Sequence, residues 1–338
     1  MFKKFLCILL AVCMIAVLFG ACGKKAEPVQ KEDSGTTQET QKEQNEASSD
    51  DGKIVIGLSI SGFAAPYFKA MVAAAEEEAK KQNVELKVLD AEWDTQKQAS
   101  QVESLIAQKV DVIEIVPCDS KAIIPSMKKV KEAGIPLIVV NTQHDPEAED
   151  LIVTFVGASM EEEAAIAAKS VKDILGEKGG NVVIIEGAAG SFPAIHRTSG
   201  FKDAIKDNPN IKILTAQNAG WDRSQAMSVM EDFLTRYPDI NVVYAHDDNM
   251  AIGAIQAIKA AGRLNEMSVV SISGTIEGYD AIRNGELYST VSQPPDWEGM
   301  MAVQAAVKLL NGEKLEKWIK TPIAEVTKEN VDQFKGVW

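Results

Sequence analysis

Short apolar runs alternate with longer segments of helical period along most of the chain. The runs are nearly continuous in β-branched and other apolar residues, which is typical of strands buried on both faces of a parallel sheet. They fall into two successive sets, and two such sets predict two doubly wound α/β domains of similar size. The predicted strands are residues 53–59, 85–91, 111–117, 135–141, 153–159, 181–187, 210–216, 240–247, 267–273 and 288–293.

Helix-start signals lie between the predicted strands. Pro66 stands where the first residue of a helix belongs, because proline lacks the amide hydrogen that would be unsatisfied there. Thr95 with Gln98 has the spacing of a capping box, and Asp222 with Gln225 marks the start of a later helix. Strands and helices are therefore expected to alternate, as they do in a doubly wound fold.

The residues that follow the predicted strands are candidates for a ligand site. In doubly wound sheets the ligand crevice lies beyond the carboxyl ends of the strands, so these residues should face one cleft. They combine aromatic rings with planar hydrogen-bonding groups, which suits a ligand with apolar C–H faces and a rim of hydroxyls, such as a sugar or polyol. The predicted ligand-binding residues are Tyr67, Phe68, Trp93, Asn141, Thr142, Arg197, Trp221, Asp247, Ser273 and Gln293.

Structural roles compete with ligand binding at several of these positions. Trp221 could instead fill the core between helices, and Trp93 could cover the helix that follows it. Arg197 could form only a structural ion pair. One of the neighbours Asp247 and Asp248 is expected to cap a helix, and Asp247 is assigned to the cleft.

Composition and charge argue against several other kinds of protein. The chain has 338 residues with 49 acidic and 35 basic side chains, and its formal net charge of −14 leaves no broad basic surface for nucleic acid. His144 and His246 lack the spacing of metal ligands and are expected to be solvated, so neither a metal nor a cofactor is expected. The turn EGAAGS lacks the lysine of a phosphate loop, and no nucleophile-base pair indicates an enzyme.

The beginning of the chain has the features of a bacterial export signal. Two lysines precede a short apolar run, and the small residues before Cys22 predict a signal peptide over residues 1–21. The sequence FGAC resembles a lipobox, in which Cys22 would carry the lipid, although Phe19 departs from that pattern. An ordinary signal peptide that happens to contain a cysteine is the alternative.

Residues 22–52 are predicted to be the lipidated cysteine and a disordered tether. The segment is dominated by polar and charged residues and contains no aromatic residue, so it cannot bury enough apolar surface to offset the entropy of ordering. Cys118 is then the one cysteine of the folded part, which excludes an intramolecular disulfide. A lone cysteine at a strand end is expected to be a small packing residue.

From Lys53 to about Lys335 the chain resembles the type I periplasmic binding proteins of the ribose/galactose-binding type. The tether with Cys22 resembles their lipoprotein form in Gram-positive bacteria. The similarity lies in the stretches SGFAAPYF, LIAQKVDVIEIVPCDS, AGIPLIVVN, HRTSGF, GWDRSQAM, YAHDDNMAIGAIQAI and TVSQPPDWEGM.

The resemblance implies an α/β fold of two doubly wound parallel-sheet lobes joined by a three-crossover hinge, which close over the ligand. It implies a first lobe of residues 53–158 plus 294–322 and a second lobe of residues 159–293 plus 323–338. The crossovers are expected near 157–160, 289–294 and 319–323.

The resemblance supports six of the candidate site residues and departs from the family at others. Ribose-like members carry an Asp-Arg pair where this chain has Asn141-Thr142, an Asn where it has Val116, and an Asp where it has Ser273. These departures disfavour ribose or galactose and favour another pentose, a polyol, an inositol-like ring or a furanose. The six supported positions are Tyr67, Phe68, Arg197, Trp221, Asp247 and Gln293.

Together these features predict an extracytoplasmic solute-binding lipoprotein on the outer face of the cell membrane. It is expected to be a monomer that captures a small polyhydroxylated ligand and presents it to the permease of an ABC importer. The alternative is a sensor that presents a sugar or furanose-type signal to a membrane receptor. No catalytic activity is expected in either case.

Overall fold

The computed structural model describes residues 52–338. The predicted signal peptide, Cys22 and nearly all of the predicted tether lie outside the described residues. The strands are β1 Val55–Ile60, β2 Glu85–Asp90, β3 Val112–Ile115, β4 Leu137–Val140, β5 Thr154–Gly157, β6 Gly180–Glu186, β7 Ile211–Asn218, β8 Val242–Ala245, β9 Ser268–Ser273, β10 Ser289–Ser292, β11 Trp318–Lys320 and β12 Ala324–Thr327.

Helices follow most of the strands, as the alternating pattern predicts. Within residues 52–338, no helix is long and apolar enough to span a membrane. The α-helices are α1 Pro66–Lys81, α2 Thr95–Ala107, α3 Ile124–Glu132, α4 Met160–Leu175, α5 Phe192–Ile205, α6 Arg223–Arg236, α7 Asp248–Ala260, α8 Ile276–Arg283 and α9 Pro295–Leu310.

The first lobe is built on a parallel sheet of six strands in the order β11-β5-β4-β3-β1-β2. On one face, β1 and its neighbours pack against α1 and α9, with Met71 and Val303 buried between sheet and helices. On the other face, α2 and α3 contribute Leu105 and Met127 to a second core cluster. Burial of an aliphatic side chain of this size contributes about 1.5–3 kcal/mol, so both faces stabilise the lobe.

The second lobe repeats this plan with the strand order β12-β10-β9-β8-β6-β7. Its strands are parallel except β12, which runs antiparallel to β10. Helices α6, α7 and α8 cover one face around Phe233 and Ile258. Helices α4 and α5 cover the other face around Phe201 and Val171. The two doubly wound lobes confirm the fold class that the sequence predicts.

The chain passes between the two sheets three times. It leaves the first sheet after β5 and enters α4 through residues 158–159. It returns from β10 to α9, which packs against α1 of the first lobe, through residues 293–294. It crosses again from β11 to β12 through residues 321–323. Each of the three connections therefore follows the carboxyl end of a strand, namely β5, β10 or β11.

The start of α2 differs from the predicted capping box. Asp94, not Thr95, is the N-cap, and its carboxylate accepts hydrogen bonds from the amides of Gln96 and Lys97. Gln98 is instead buried, where its side chain donates to the Val116 carbonyl at 2.8 Å. A charged carboxylate satisfies the free amides of a helix start better than a hydroxyl does, which leaves Gln98 free to hold the end of β3.

Candidate functional site

A cavity of about 500 Å³ lies between the two lobes, beyond the carboxyl ends of the strands. All ten residues that the sequence predicts for the ligand site line this cavity, so the rule about strand ends brings together side chains far apart in the chain. Their contact with a ligand stays a prediction. The structure adds cavity-lining residues that the prediction omitted, among them Cys118, Met160, Phe192, Asp222, Gln225, Asn249 and Trp338.

Aromatic rings form the first-lobe wall of the cavity. Tyr67 and Phe68 occupy the first turn of α1, and their rings meet edge-on with centroids 5.7 Å apart. The Trp93 ring lies 6.1 Å from Phe68 and also contacts Gly62, where a Cβ atom would come within 2.6 Å of the indole nitrogen. Trp93 is 39% exposed, and its ring forms part of the cavity wall.

Trp221 forms the facing wall on the second lobe. Its ring lies so close to Gly187 that a Cβ atom there would come within 2.0 Å of it, which requires glycine at that position. The ring also packs against the core around α6 and α7. Trp221 therefore has the core contact that the sequence left open and also lines the cavity, and its stacking on a ligand stays a prediction.

Arg197 is held by a buried network at the floor of the cavity. Its Nε and Nη2 atoms donate to Glu163 at 3.0 and 2.7 Å. Its Nη1 donates to the His246 carbonyl at 2.7 Å, and Nη2 also donates to Gln293 Oε1 at 3.0 Å. Burial raises the pKa of the Glu163 carboxyl, and the charge and hydrogen bonds of Arg197 oppose that shift. The ion pair considered from the sequence is present, and Arg197 lines the cavity as well.

Glu298 connects the two lobes and was missed in the sequence. It lies on α9 and is fully buried, where it accepts hydrogen bonds from Tyr67 Oη at 2.7 Å and Asn141 Nδ2 at 2.9 Å. It also accepts from Thr321 Oγ1 at 2.7 Å and Gln293 Nε2 at 3.2 Å. Burial raises the pKa of the Glu298 carboxyl while these hydrogen bonds lower it. Glu298 could have been recognised as an acidic residue on the buried face of a helix, because a buried carboxylate needs several hydrogen-bond donors around it.

Asp247 and Asp248 divide their roles differently from the sequence prediction. Asp247 caps α7, accepting from the Met250 amide at 2.7 Å, and the same side chain lines the cavity. Burial, together with the charge of Asp248, raises the pKa of Asp247 to about 7. Asp248 is buried behind it and accepts from the hydroxyls of Ser271 and Thr290. One carboxylate therefore serves as both cap and cavity residue.

Four cavity residues have backbone conformations that side chains rarely adopt. The φ angles are 62° at Trp93, 60° at Asn141, 64° at Trp221 and 132° at Ser273. Positive φ at residues with a Cβ costs on the order of 1–3 kcal/mol and tends to occur at functional sites. All four residues line the cavity, three of them after a strand and Ser273 at the end of β9, so the backbone geometry of the site has a cost in stability.

The expectation that both histidines are solvated is wrong. His246 is fully buried at the end of β8, where the Gly187 amide donates to its Nδ1 at 3.3 Å, and burial holds its pKa well below the usual range. His144 is buried as well, with Nε2 2.7 Å from Glu149. His246 contacts Thr198 and the Trp221 ring, and His144 packs against Phe155, contacts that the local sequence does not reveal. In the described part of the chain, no group of three or more acidic, histidine or cysteine residues could hold a metal.

Cys118 lines the cavity as a thiol of low reactivity. Burial, together with the acidic side chains nearby, raises its pKa to about 12. Its Sγ lies 3.7 Å from the Ser61 carbonyl. Since the thiolate is the nucleophilic form, these surroundings favour the packing role that the sequence predicts.

Comparisons with known proteins place the chain in a large family. The model of the periplasmic binding protein domain matches residues 56–314. The ribose import binding protein RbsB of Bacillus subtilis is 34% identical over 271 residues, which are 80% of this chain and 86% of that protein. The galactofuranose-binding protein YtfQ of Escherichia coli is 36% identical over 252 residues, which are 73% of this chain and 79% of that protein.

A solved structure shows the same similarity in three dimensions. It is an ABC transporter solute-binding protein from Bacillus halodurans with bound myo-inositol. It superimposes with a TM-score of 0.79 and is 33% identical, and the match covers 84% of this chain and 98% of that protein.

Proposed function

The chain belongs to the periplasmic binding protein domain family, and within it we propose that this protein captures a small polyhydroxylated solute between its two lobes for an ABC importer. The family consists of extracytoplasmic binding proteins, and this chain is a binding protein and not an enzyme. The observation that supports the ligand class best is the convergence of aromatic rings, a guanidinium, a carboxylate and amides on one cavity.

The hydrogen-bonding groups of the cavity suit hydroxyl groups. Arg197 has five N–H groups, and four of them donate to Glu163, His246 and Gln293, which leaves one Nη1 hydrogen for a ligand. One oxygen of Asp247 accepts from the helix amide, and the other is free to accept from a ligand hydroxyl. A sugar hydroxyl both donates and accepts, so it can satisfy these two groups at once.

The aromatic walls suit the apolar faces of a ring. Trp221 on the second lobe and Phe68 on the first lobe offer faces against which the C–H groups of a sugar or cyclitol can pack. The relatives are named for ribose and galactofuranose, and the similar solved structure holds myo-inositol. With Asn141 and Thr142 in place of a charged pair, we place the ligand among pentoses other than ribose, polyols, inositol-like rings and furanoses.

The proposal includes the cellular setting. Residues 1–21 are taken as an export signal and Cys22 as the lipidated anchor, with residues 22–52 as the tether to the outer face of the membrane. The two lobes would close about the three connections and trap the ligand for the permease. The first lobe comprises residues 53–158 plus 294–322, and the second comprises residues 159–293 plus 323–338.

A panel of pentoses, hexoses, polyols and inositols tests the function. A ligand present at a hundred times its dissociation constant adds about 2.7 kcal/mol to the stability of the folded state. A thermal-shift measurement detects a change of this size. The proposal predicts such a shift for a member of the panel, with a smaller radius of gyration in solution scattering. It is wrong if every member leaves both quantities unchanged.

Replacing Trp221 with alanine tests the stacking wall. We expect binding to weaken by about 0.5–1.5 kcal/mol beyond the loss of buried area, while the fold is retained. Calorimetry on Trp221→Ala measures the affinity. Trp318→Phe is the matched control, because Trp318 packs in the first lobe and its indole donates to Gly157. Equal affinity in wild type and Trp221→Ala would assign the ring to the core alone.

Asp247 predicts a pH dependence of binding. Its pKa in the free protein is about 7, and a ligand hydroxyl that donates to the carboxylate favours the ionised form. Below pH 7 binding must first remove a proton, so affinity should fall by up to about tenfold for each pH unit and level off above pH 7. Calorimetry from pH 5 to 8.5 measures the profile. Asp247→Asn should bind more weakly with a flat profile, and a sloping profile in that variant would contradict the assignment.

A further inference from the structure

Residues 331–338 are attached to the second lobe by their backbone and apolar side chains. Val331 is buried in the core of that lobe, and the Phe334 ring lies 6.2 Å from Tyr279. The Ile276 amide, at the start of α8, donates to the Trp338 carbonyl at 2.9 Å. A Cβ atom at Gly336 would come within 2.7 Å of Ile276, so glycine allows this close approach.

The side chain of Trp338 leaves the second lobe and packs on the first. Its ring contacts the core cluster between the first sheet, α1 and α9. The ring meets Tyr67 edge-on, with centroids 5.4 Å apart and planes at 86°. Tyr67 in turn donates to Glu298, so the ring rests on the network that joins the lobes. Trp338 thus has its backbone on one lobe and its indole on the other, and it lines the cavity between them.

We propose that Trp338 is a ligand-contacting residue that also forms a fourth, noncovalent connection between the lobes, so that a ligand packed against its indole stabilises the closed arrangement. This inference rests on the proposed function, because it assigns a residue to the same site. The family match ends at residue 314, so Trp338 lies beyond the residues that the family comparison describes.

Packing of the Trp338 ring on the first lobe has both a favourable and an unfavourable free-energy contribution. Packing of the indole against Tyr67 buries apolar area with a preferred aromatic geometry. The indole Nε1 is also buried, and nothing among residues 52–338 accepts its hydrogen. A buried donor without a partner loses the hydrogen bonds that water would give it, which favours release of the ring. Because these contributions oppose each other, added contact with a ligand can decide whether the ring stays in place.

The ligand-free protein offers a direct test by hydrogen exchange at the Ile276 amide. Trp338→Ala should speed this exchange at least tenfold, because the ring no longer holds the segment. Trp338→Phe keeps a ring without the unsatisfied N–H, so exchange should equal or fall below that of the wild type. Val337→Ala is the matched control in the same segment, since Val337 is exposed, and it should leave exchange unchanged.

A variant on the opposite lobe separates a bridge from local packing. Tyr67→Ala lies on the first lobe, yet it should also speed exchange at Ile276 on the second lobe. Tyr67→Phe is the control, because it removes the hydroxyl that donates to Glu298 but keeps the ring against Trp338, and it should leave the exchange at Ile276 unchanged. Unchanged exchange at Ile276 in both Trp338→Ala and Tyr67→Ala would overturn the bridge.

The ligand arm uses D-ribose, xylitol and myo-inositol as probes. For a probe that binds, Trp338→Ala should raise the dissociation rate about tenfold, while Trp338→Phe stays within about twofold of the wild type. A Trp338→Ala rate within twofold of the wild type would overturn the ligand contact. If neither these probes nor the wider panel binds the wild type, the proposed function and the ligand contact fail together, and the exchange measurements still decide the bridge.

Discussion

Arg197→Met is expected to lower the free energy of unfolding by about 3–5 kcal/mol and to abolish measurable ligand binding. The substitution leaves the Glu163 carboxylate buried without the guanidinium that pairs with it at 2.7 Å. Breaking a buried pair by removing one partner has this cost because the remaining charge is uncompensated. Binding is lost as well, because the Nη1 group and the position of Gln293 both depend on Arg197.

The pH dependence of Arg197→Met separates charge burial from lost packing. Burial already raises the pKa of Glu163, and Arg197→Met removes the charge and the hydrogen bonds that oppose that shift. The destabilisation should therefore shrink at low pH, where the carboxyl is protonated in both states, and grow as pH rises. Urea unfolding at pH 5 and pH 8 measures it. Arg197→Met with Glu163→Met should recover most of the loss, and an equally unstable double variant would contradict this explanation.

Glu114→Gln is expected to stabilise the protein by up to about 5 kcal/mol above pH 8. Glu114 lies in the middle of β3, between Leu58 of β1 and Ile138 of β4. It is fully buried, and neither carboxyl oxygen has a hydrogen-bond partner within residues 52–338. Burial raises its pKa from 4.5 to about 8, a difference of about 3.5 pH units.

The sign of this effect follows from proton binding. Between pH 4.5 and pH 8 the folded state keeps the Glu114 proton that the unfolded state releases, so stability falls as pH rises and levels off above pH 8. Glutamine has no proton to lose. Glu114→Gln should therefore match the wild type near pH 4 and exceed it near pH 9 in urea unfolding. Glu76→Gln, on the exposed face of α1, is the matched control. Equal stability of Glu114→Gln and wild type at pH 9 would contradict the buried-acid explanation.

The lobes and ten of the cavity-lining residues could be predicted because both follow from local patterns. Doubly buried strands are recognisable as continuous apolar runs, and the strand-end rule then converts a position such as Trp221 into a place in space. The rule needs no knowledge of side-chain contacts. It therefore predicts that Arg197 and Gln293 line one cavity, although they are far apart in sequence.

The remaining features depend on contacts between distant segments. Glu298 accepts hydrogen bonds from Tyr67 of the first lobe and from Gln293 at the end of the second-lobe range, a combination that no local pattern encodes. Trp338 follows no predicted strand end, and its place in the cavity depends on how the C-terminal segment packs on α8. His246 is buried against Thr198 of α5 and the Trp221 ring, which are distant in sequence, so its local sequence suggested solvent instead. Asp247 was assigned to one role because the sequence cannot show that one carboxylate reaches both an amide and a cavity.

A crystal structure of the protein soaked with the best ligand of the panel examines the cleft directly. The ligand ring should lie in the interlobe cavity with one face against Trp221, one hydroxyl within hydrogen-bond distance of Arg197 Nη1 and another at the free oxygen of Asp247. A ligand bound outside the cavity, or in the cavity without contact to either side chain, would contradict the proposed binding mode.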